Sequence, residues 1–373
     1  MEDVPLTLRL TSALGIVVLL ALTWVLSERR GAVPWRLVAW GLGLQFAFGV
    51  LVLHAPGGAA FFGGVREAFV ALTAASDAGA EFVFGKLVRP LVFGEATVIT
   101  EAGPEPATPL LLSAVIAFRV LPIIIFVSAI AMILQHFGIV QAVVRGLAWC
   151  MRRTLKTSGA ETFVAALLVF LGIESLSAVT DYIQRMTRSE LFVIMSAFLA
   201  TIAASVMLAY ASFGAEPGHL LAASVMSAPA AIAFAKILVP ETGTPETGGA
   251  AARVKLPKET HNLFDGAARG GQLGLQMALN VGAMLIVFVG LIHLLDQVTL
   301  ALTDQTIAAL LRYVFVPFAW LMGVPGADVG RVAELLALKS VFNEFLAYEQ
   351  LQQFMQAEAN ALSPRAQTIA TYA

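Results

Sequence analysis

A carboxylate and an amide stand side by side within an apolar stretch near the C-terminal end of the chain. Residues 339–348 read KSVFNEFLAY, so apolar and aromatic residues flank Asn343 and Glu344. A carboxylate at membrane depth costs about 2.5–3.5 kcal/mol even on insertion scales, and is tolerated where it meets a polar substrate, a cation or a buried partner. Asn343 can both donate and accept hydrogen bonds. The pattern leaves two interpretations: a ligand-binding carboxylate, or a surface turn or ion pair with Lys339.

A second carboxylate, Glu174, lies in a similar apolar segment. Residues 163–179 also contain Gly172 and Ser175, and basic residues flank the segment on both sides. A single crossing would place one basic flank outside, whereas a re-entrant hairpin keeps both flanks in the cytoplasm. Glu174 is then either a functional carboxylate or one that caps backbone amides at the hairpin tip.

Composition defines the setting in which these carboxylates must act. The chain has 373 residues and a net charge of −2; 58% of the residues are hydrophobic and only 13% are charged, with a mean hydropathy of +0.83. Soluble domains have about 25% charged residues. The sequence therefore predicts a polytopic membrane protein, and the lack of a basic excess argues against a nucleic-acid binder.

Motifs of enzymes and metal sites are missing from the sequence. It contains no HExxH, GxSxG or GxxxxGK[ST] pattern, its five histidines are scattered, and Cys150 is its single cysteine. These spacings predict no catalytic centre, no zinc site and no intrachain disulfide. We therefore expect a protein that is not an enzyme and has no cofactor.

Six apolar stretches are each close to the ~20 residues needed to cross the hydrocarbon core. They are residues 10–26, 37–53, 110–134, 192–210, 220–239 and 275–295. The acidic start, with Glu2 and Asp3, differs from the basic start of a signal peptide. Residues 10–26 are therefore predicted to form an uncleaved helix.

The loop charges set the direction of each crossing. Lys and Arg gather in short cytoplasmic loops. They occur here in residues 28–36, 145–156 and 236–269, and are missing from residues 211–219 and 296–305. The first three connections are predicted to be cytoplasmic and the last two external.

Three further segments depart from simple spans. Residues 65–88 mix charges with apolar residues, which is typical of one or two interfacial amphipathic helices. Residues 240–249 read PETGTPETGG and begin a mobile connector that extends to about His261. Residues 315–348 combine Pro and Gly with charges, which predicts broken helix lining a cavity. Two broken polar segments with carboxylates hint at an internal repeat, as in transporters.

Several motifs together resemble the concentrative nucleoside transporter family. Residues 339–348 are similar to its Lys…Asn-Glu-Phe-Val-Ala-Tyr signature, and residues 81–85, EFVFG, to its amphipathic-helix motif. Residues 226–242, MSAPAAIAFAKILVPET, resemble its fifth-helix signature. Residues 186–190 and 315–325 match as well. The combination of the Asn-Glu-Phe and AP…FAK…PET motifs is specific.

The resemblance implies an all-α polytopic membrane protein with eight transmembrane helices, inverted repeats, two re-entrant hairpins and interfacial helices. It implies a homotrimer in the cell inner membrane, in contact with lipid, that takes up nucleosides with a coupling cation, Na⁺ or H⁺. The implied divisions are helices 1 and 2 (1–60), interfacial helices with the third span (61–158), the first hairpin with helices 4 and 5 (159–240), a flexible loop (241–262), the sixth helix (263–300), and a second hairpin with a broken seventh helix (301–373).

The resemblance also assigns roles to individual residues. Glu344 would hold the ribose hydroxyls, with Asn343 beside it. Glu174, together with Ser175 and Gly172, would form the first hairpin tip, and Val206 would line the pocket. The ion-coupling positions would be Thr201 and Ile202.

The first hairpin differs from the family pattern in two ways. Where the family has Gly-Gln-Thr-Glu or Gly-Met-Thr-Glu, this chain has Gly-Ile-Glu-Ser at 172–175, so the glutamine that reads the nucleobase is missing. The alignment is ambiguous by one residue, and either Glu174 or Ser175 matches the family Glu. Sodium-coupled members carry an Asn where this chain has Leu167 or Leu168. A leucine offers no oxygen to a hard cation, which favours proton coupling through Glu174 or Glu344.

Residues 362–373 resemble the start of the family's last helix, and we expect the rest of that helix to be missing. Two alternatives to a nucleoside transporter stay open. The changed hairpin is compatible with a sibling carrier for another small polar solute. The expected loss of the last helix is compatible with a membrane scaffold or receptor that does not transport.

Overall fold

The structure is a computed structural model, and it describes most of the chain. The described residues are 5–54, 58–88, 91–93, 97–100, 103–106, 110–112, 116–172, 183, 185–246, 260–356 and 362–373. The α-helices in these residues are α1 (Leu6–Val25), α2 (Trp35–His54), α3 (Gly58–Phe84), α4 (Ile116–His136), α5 (Ile139–Leu155), α6 (Gly159–Leu171), α7 (Arg188–Ala200), α8 (Ala204–Ser212), α9 (Pro217–Leu238), α10 (Leu263–Thr303), α11 (Ile307–Leu321), α12 (Val329–Val341), α13 (Glu344–Gln356) and α14 (Pro364–Tyr372).

Seven helical segments in the described part of the chain are long and apolar enough to cross a membrane. They comprise α1, α2, α3 with the 3₁₀ turn after it, α4, α7 with α8, α9 and α10. The predicted spans therefore reappear, with one addition. Residues 65–88, expected to form one or two interfacial helices, belong to the single helix α3 and the 3₁₀ turn Gly85–Val88.

Short strands lie between α3 and α4. They are β1 (Leu91–Phe93), β2 (Thr97–Thr100), β3 (Gly103–Pro106) and β4 (Leu110–Leu112). β1 pairs antiparallel with β4, and β2 with β3. The prediction that a spanning helix begins at residue 110 was therefore wrong, because β4 takes the first three residues and α4 begins at Ile116. A continuous apolar run does not by itself distinguish a strand from a helix.

Two halves of the chain repeat one order of elements. In the first half, the long helix α4 is followed by α5, the hairpin arm α6 and the broken helix α7–α8. In the second half, the long helix α10 is followed by α11, the hairpin of α12 and α13, and then α14. Capping boxes, Ser158 with Glu161 and Thr187 with Glu190, start α6 and α7 by satisfying the first free amides.

The two long helices α4 and α10 pack closely because α10 presents glycines every four residues. A Cβ atom at Gly270 would lie 2.7 Å from the Ala129 Cα, and one at Gly274 would lie 2.6 Å from the Ile125 Cα. Small residues at this spacing let two helix backbones approach within a membrane. The outer face of α10 keeps large apolar side chains exposed, including Ile286 and Leu302.

The hydrophobic core is divided between the two hairpins. One cluster of buried residues surrounds α6 and includes Leu167, Leu168 and Ile232. The other surrounds α12 and α13 and includes Tyr210 and Phe345. The hairpin arm α6 and the α12–α13 hairpin are therefore each held in apolar packing of their own.

Candidate functional site

A cavity of about 360 Å³ lies between the two repeats. The α7–α8 break, one face of α9 and both arms of the α12–α13 hairpin line it. This volume falls within the range of about 300–1,000 Å³ that is usual for small-molecule sites. Irregular backbone at membrane depth is tolerated where it lines such a cavity.

The first wall of the cavity is the break between α7 and α8. Residues 201–203 are not helical, and the Thr201 hydroxyl donates to the Ala197 carbonyl oxygen at 2.8 Å. The Ser224 hydroxyl of α9 donates to the Ile202 carbonyl oxygen at 3.1 Å and lies 3.4 Å from the Ile202 amide nitrogen. Ser224 thereby satisfies backbone groups that the break releases, as buried polar groups require.

The second wall is the tip of the α12–α13 hairpin, where Glu344 is the first residue of α13 and faces the cavity. The Asn343 Oδ1 accepts a hydrogen bond from the Leu346 amide at 3.0 Å and so caps α13. The positive end of the helix dipole stabilises a carboxylate at this place. The Asn343 Nδ2 is buried and has no hydrogen-bond partner among the described residues. The tip therefore offers an acceptor and a free donor side by side.

Aromatic rings connect the two walls. Tyr210 of α8 stacks on Tyr348 of α13, with ring centroids 4.3 Å apart and planes 17° apart. Phe345 meets the Tyr210 ring edge-on at 5.0 Å. These contacts fix the distance between the α7–α8 segment and the hairpin that carries Glu344.

The structure brings together most of the residues that the sequence predicted for the site. Gly172, Thr201, Ile202, Val206 and Glu344 line the cavity. Gly172 ends α6 with a φ of 60°, a conformation that favours glycine. Asn343 lies directly before Glu344. The other two predicted residues, Glu174 and Ser175, lie outside the described residues.

Sequence reasoning missed several residues of the cavity. Tyr210, Tyr348, Ser224 and Ser227 line it. Tyr210 follows Val206 by four residues and so shares its helix face, which is the signal that could have identified it. The two serines lie one turn apart on α9, but a serine pair on an apolar helix indicates no site by itself.

The predicted sodium position fits a cation poorly. Leu167 and Leu168 are fully buried in the apolar cluster around α6 and have no side-chain oxygen. The remaining two candidates, the Thr201 hydroxyl and the Ile202 carbonyl, already take part in the internal hydrogen bonds of the helix break. Hard cations need several oxygen ligands.

At the far end of the first hairpin, a buried ion pair joins three helices. The Lys236 Nζ lies 2.5 Å from the Glu161 Oε1 and 3.3 Å from the Glu241 Oε2. It also donates to the Ser189 hydroxyl at 2.9 Å. Lys236 and Arg269, predicted to bound a cytoplasmic loop, lie in helices α9 and α10. Lys236 can be buried at the end of α9 because the Glu161 carboxylate compensates its charge.

Comparisons with known proteins agree on one family. Three family models match successive parts of the chain: "Na+ dependent nucleoside transporter N-terminus" over residues 14–87, "Nucleoside recognition" over 117–217, and "Na+ dependent nucleoside transporter C-terminus" over 219–373. Solute carrier family 28 member 3 of Rattus norvegicus is 36% identical over 96% of this chain and 50% of its own length. The chain therefore spans about half the length of that relative.

Three further similarities cover 97–98% of this chain and 85% of the other protein. An uncharacterized transporter of Haemophilus influenzae is 35% identical over 98% of this chain and 85% of its own length. The solved structure of CNTnw in an inward-facing substrate-bound state has a TM-score of 0.87 and 36% identity, covering 97% of this chain and 85% of that one. A CNTnw variant in an outward-facing state has a TM-score of 0.86 and 34% identity.

The repeated halves, the hairpins and the cavity between them define a multi-pass membrane protein of the carrier class. Within that class, the chain belongs to the concentrative nucleoside transporter family. The family and fold predicted from the motifs are thereby confirmed. The members of this family are transporters and not enzymes.

Proposed function

We propose that this protein carries nucleosides across the membrane by alternating access. The observation that carries the proposal is Glu344, a carboxylate at the tip of a helical hairpin, facing a cavity between two helix breaks. Carriers of this kind bind substrate near the membrane midplane at discontinuous helices. The similarity to CNTnw structures in inward-facing and outward-facing states supports movement between two such states.

The cavity suits a molecule with one polar and one flat apolar end. Glu344 offers an acceptor to sugar hydroxyls, and Ser227 adds a small polar group from α9. Phe198, Val206 and the two tyrosines provide an apolar wall for a planar base. The glutamine with which the family reads the nucleobase is missing from this chain, which has Gly-Ile-Glu-Ser at 172–175. A sibling carrier for another small polar solute is therefore the second candidate.

For coupling, we propose that the cation is a proton and that sodium contributes little. The family models carry Na⁺ in their descriptions, but leucines stand where this chain would need a side-chain oxygen. The two carboxylates proposed for this coupling are Glu174, which lies outside the described residues, and Glu344, which lines the cavity.

The setting that we propose is the cell inner membrane, as a homotrimer in contact with lipid. The exposed apolar face of α10, which includes Ile286 and Leu302, supports contact with lipid or with neighbouring subunits. The family resemblance supports the trimer.

Uptake by the full-length protein in proteoliposomes tests the proposed function. The panel contains ribonucleosides, free nucleobases and amino acids, with empty liposomes and the Glu344→Gln variant as controls. Saturable uptake of nucleosides alone supports the proposal. Uptake of another solute alone supports the sibling carrier, and no uptake of any solute supports a scaffold or receptor.

The proposed coupling is tested on the same vesicles. Replacing sodium by choline at fixed pH should change the initial rate by less than about twofold, because the site lacks a side-chain oxygen for a hard cation. Lowering the external pH should raise the rate. Leu167→Asn and Leu168→Asn supply an amide oxygen, and one of them should increase the response to sodium. A strong, saturable sodium dependence of the unmodified protein would contradict the proposal.

A further inference from the structure

Tyr210 is a fully buried tyrosine whose ring is fixed relative to Glu344. It lies on α8 and lines the same cavity as Glu344. The ring stacks on Tyr348 and meets Phe345 edge-on, and both partners belong to the arm that Glu344 begins. The position of the Tyr210 hydroxyl beside the carboxylate therefore does not depend on a flexible side chain.

The Tyr210 hydroxyl is a buried polar group that makes no well-formed hydrogen bond to any described residue. The Glu344 carboxylate acts on this hydroxyl by its charge and lies within hydrogen-bond reach of it, but the two groups do not form a hydrogen bond of good geometry. Its stacking partner differs, because the Tyr348 hydroxyl donates to the Thr371 carbonyl oxygen at 3.2 Å. Buried tyrosine hydroxyls usually have a well-placed partner, so a hydroxyl that lines a cavity without a well-formed hydrogen bond indicates that a ligand completes its bonding.

The chemistry of a sugar hydroxyl completes this arrangement. An ionised carboxylate only accepts hydrogen bonds, whereas an alcohol both donates and accepts. When Glu344 accepts the proton of a substrate hydroxyl, the oxygen of that hydroxyl still needs a donor. The O–H of Tyr210, which lines the same cavity, is such a donor.

We propose that Tyr210 is a specificity-determining residue, which donates a hydrogen bond to the oxygen of a sugar hydroxyl whose proton Glu344 accepts. The proposal rests on the proposed nucleoside function. In addition, Glu344 and Tyr210 would bond the same sugar hydroxyl, one as acceptor and one as donor. The cavity would therefore bind substrates that lack this hydroxyl more weakly.

The test compares the wild-type full-length protein with Tyr210→Phe, which keeps both ring contacts and removes one oxygen. Calorimetry measures the affinity for a transported ribonucleoside and for its 2′-deoxy and 3′-deoxy analogues. Tyr210→Phe should bind the ribonucleoside about 3- to 10-fold more weakly, which corresponds to one neutral hydrogen bond. For one of the two deoxy analogues, the difference between variant and wild type should vanish.

The matched control is Tyr313→Phe, which removes a hydroxyl from a tyrosine that is 56% exposed on α11. It should leave all three affinities unchanged. An equal loss for all three ligands, or no loss for any, would each show that the hydroxyl does not select substrate. A wild-type protein that binds no nucleoside would instead overturn the proposed function and this proposal with it.

Discussion

The Lys236 ammonium lies 2.5 Å from the Glu161 carboxylate, and the two side chains are only 3% and 1% exposed. Glu161 belongs to the first turn of the hairpin arm α6, and Lys236 to the last turn of α9. The pair therefore fixes the base of the first hairpin to a membrane-spanning helix. Ser189 at the start of α7 shares Lys236, so one ammonium group connects three helices.

Removing one partner of this pair should strongly destabilise the protein. Lys236→Met leaves the Glu161 charge buried without compensation, and should lower the free energy of unfolding by about 3–5 kcal/mol. The double variant Lys236→Met, Glu161→Gln should recover part of this loss. Thermal unfolding in detergent measures both.

The control is Arg188→Met, which breaks the exposed pair with Glu28 and should cost at most about 1 kcal/mol. Equal effects of the two single variants would show that burial of the pair is unimportant.

Glu241 should make stability depend on pH in the acid range. Burial alone would raise the pKa of Glu241, but hydrogen bonds from Thr187 and Gly243 and the charge of Lys236 outweigh it and hold the pKa below its ordinary value of 4.5. A group with a lowered pKa stabilises the fold above its unfolded value, and this contribution is lost as the pH falls through the folded pKa.

The melting temperature of the wild type should therefore fall as the pH drops below about 4.5, the ordinary glutamate pKa. Glu241→Gln should melt lower than the wild type at neutral pH, and its melting temperature should change less over the acid range. Parallel melting curves of the two proteins across this range would show that Glu241 contributes nothing to the pH dependence.

Glu344→Gln should weaken substrate binding by about 10- to 100-fold, since hydrogen bonds to a charged group contribute about 1.5–3 kcal/mol. The variant should still fold, because the carboxylate faces a cavity and not a packed interface. Calorimetry and the elution profile on a sizing column measure the two effects. Glu349→Gln, on the same helix, is the control and should bind normally. Unchanged affinity, or loss of the folded protein, would assign Glu344 a structural role.

Arg153 and Arg188 should both be accessible from the cytoplasm. Glu161 and Ser189, which lie on either side of the first hairpin, both contact Lys236, so the chain returns to the side from which it entered. Cysteines placed at 153 and 188 in a Cys150→Ser background, labelled from each side with an impermeant reagent, measure this. If the cysteine at position 188 is labelled only from the outside, the predicted topology is wrong.

Local sequence patterns were sufficient to predict the fold class and the family. Apolar stretches of about twenty residues, alternating loop charges and the KSVFNEFLAY and AP…FAK…PET motifs are local patterns, and each retains its meaning without coordinates. Glu344 could be chosen for the same reason, because a carboxylate within an apolar run is costly wherever the chain places it. The same reasoning was wrong for the first three residues of the predicted third span. They form β4 and not a helix, because they pair with β1, which is distant in sequence.

Which side chains meet in the site became visible only from the folded chain. Tyr210 and Tyr348 belong to different repeats, and neither residue type is unusual in an apolar helix, so their stacking beside Glu344 leaves no local signal. The same holds for Ser224, which satisfies a carbonyl of another helix. Lys236 looked like a loop residue because its charge suggests solvent. Its burial is possible because Glu161, distant in sequence, lies within 2.5 Å of it. Burial and pairing depend on contacts across the fold, whereas spans and motifs depend on neighbours along the chain.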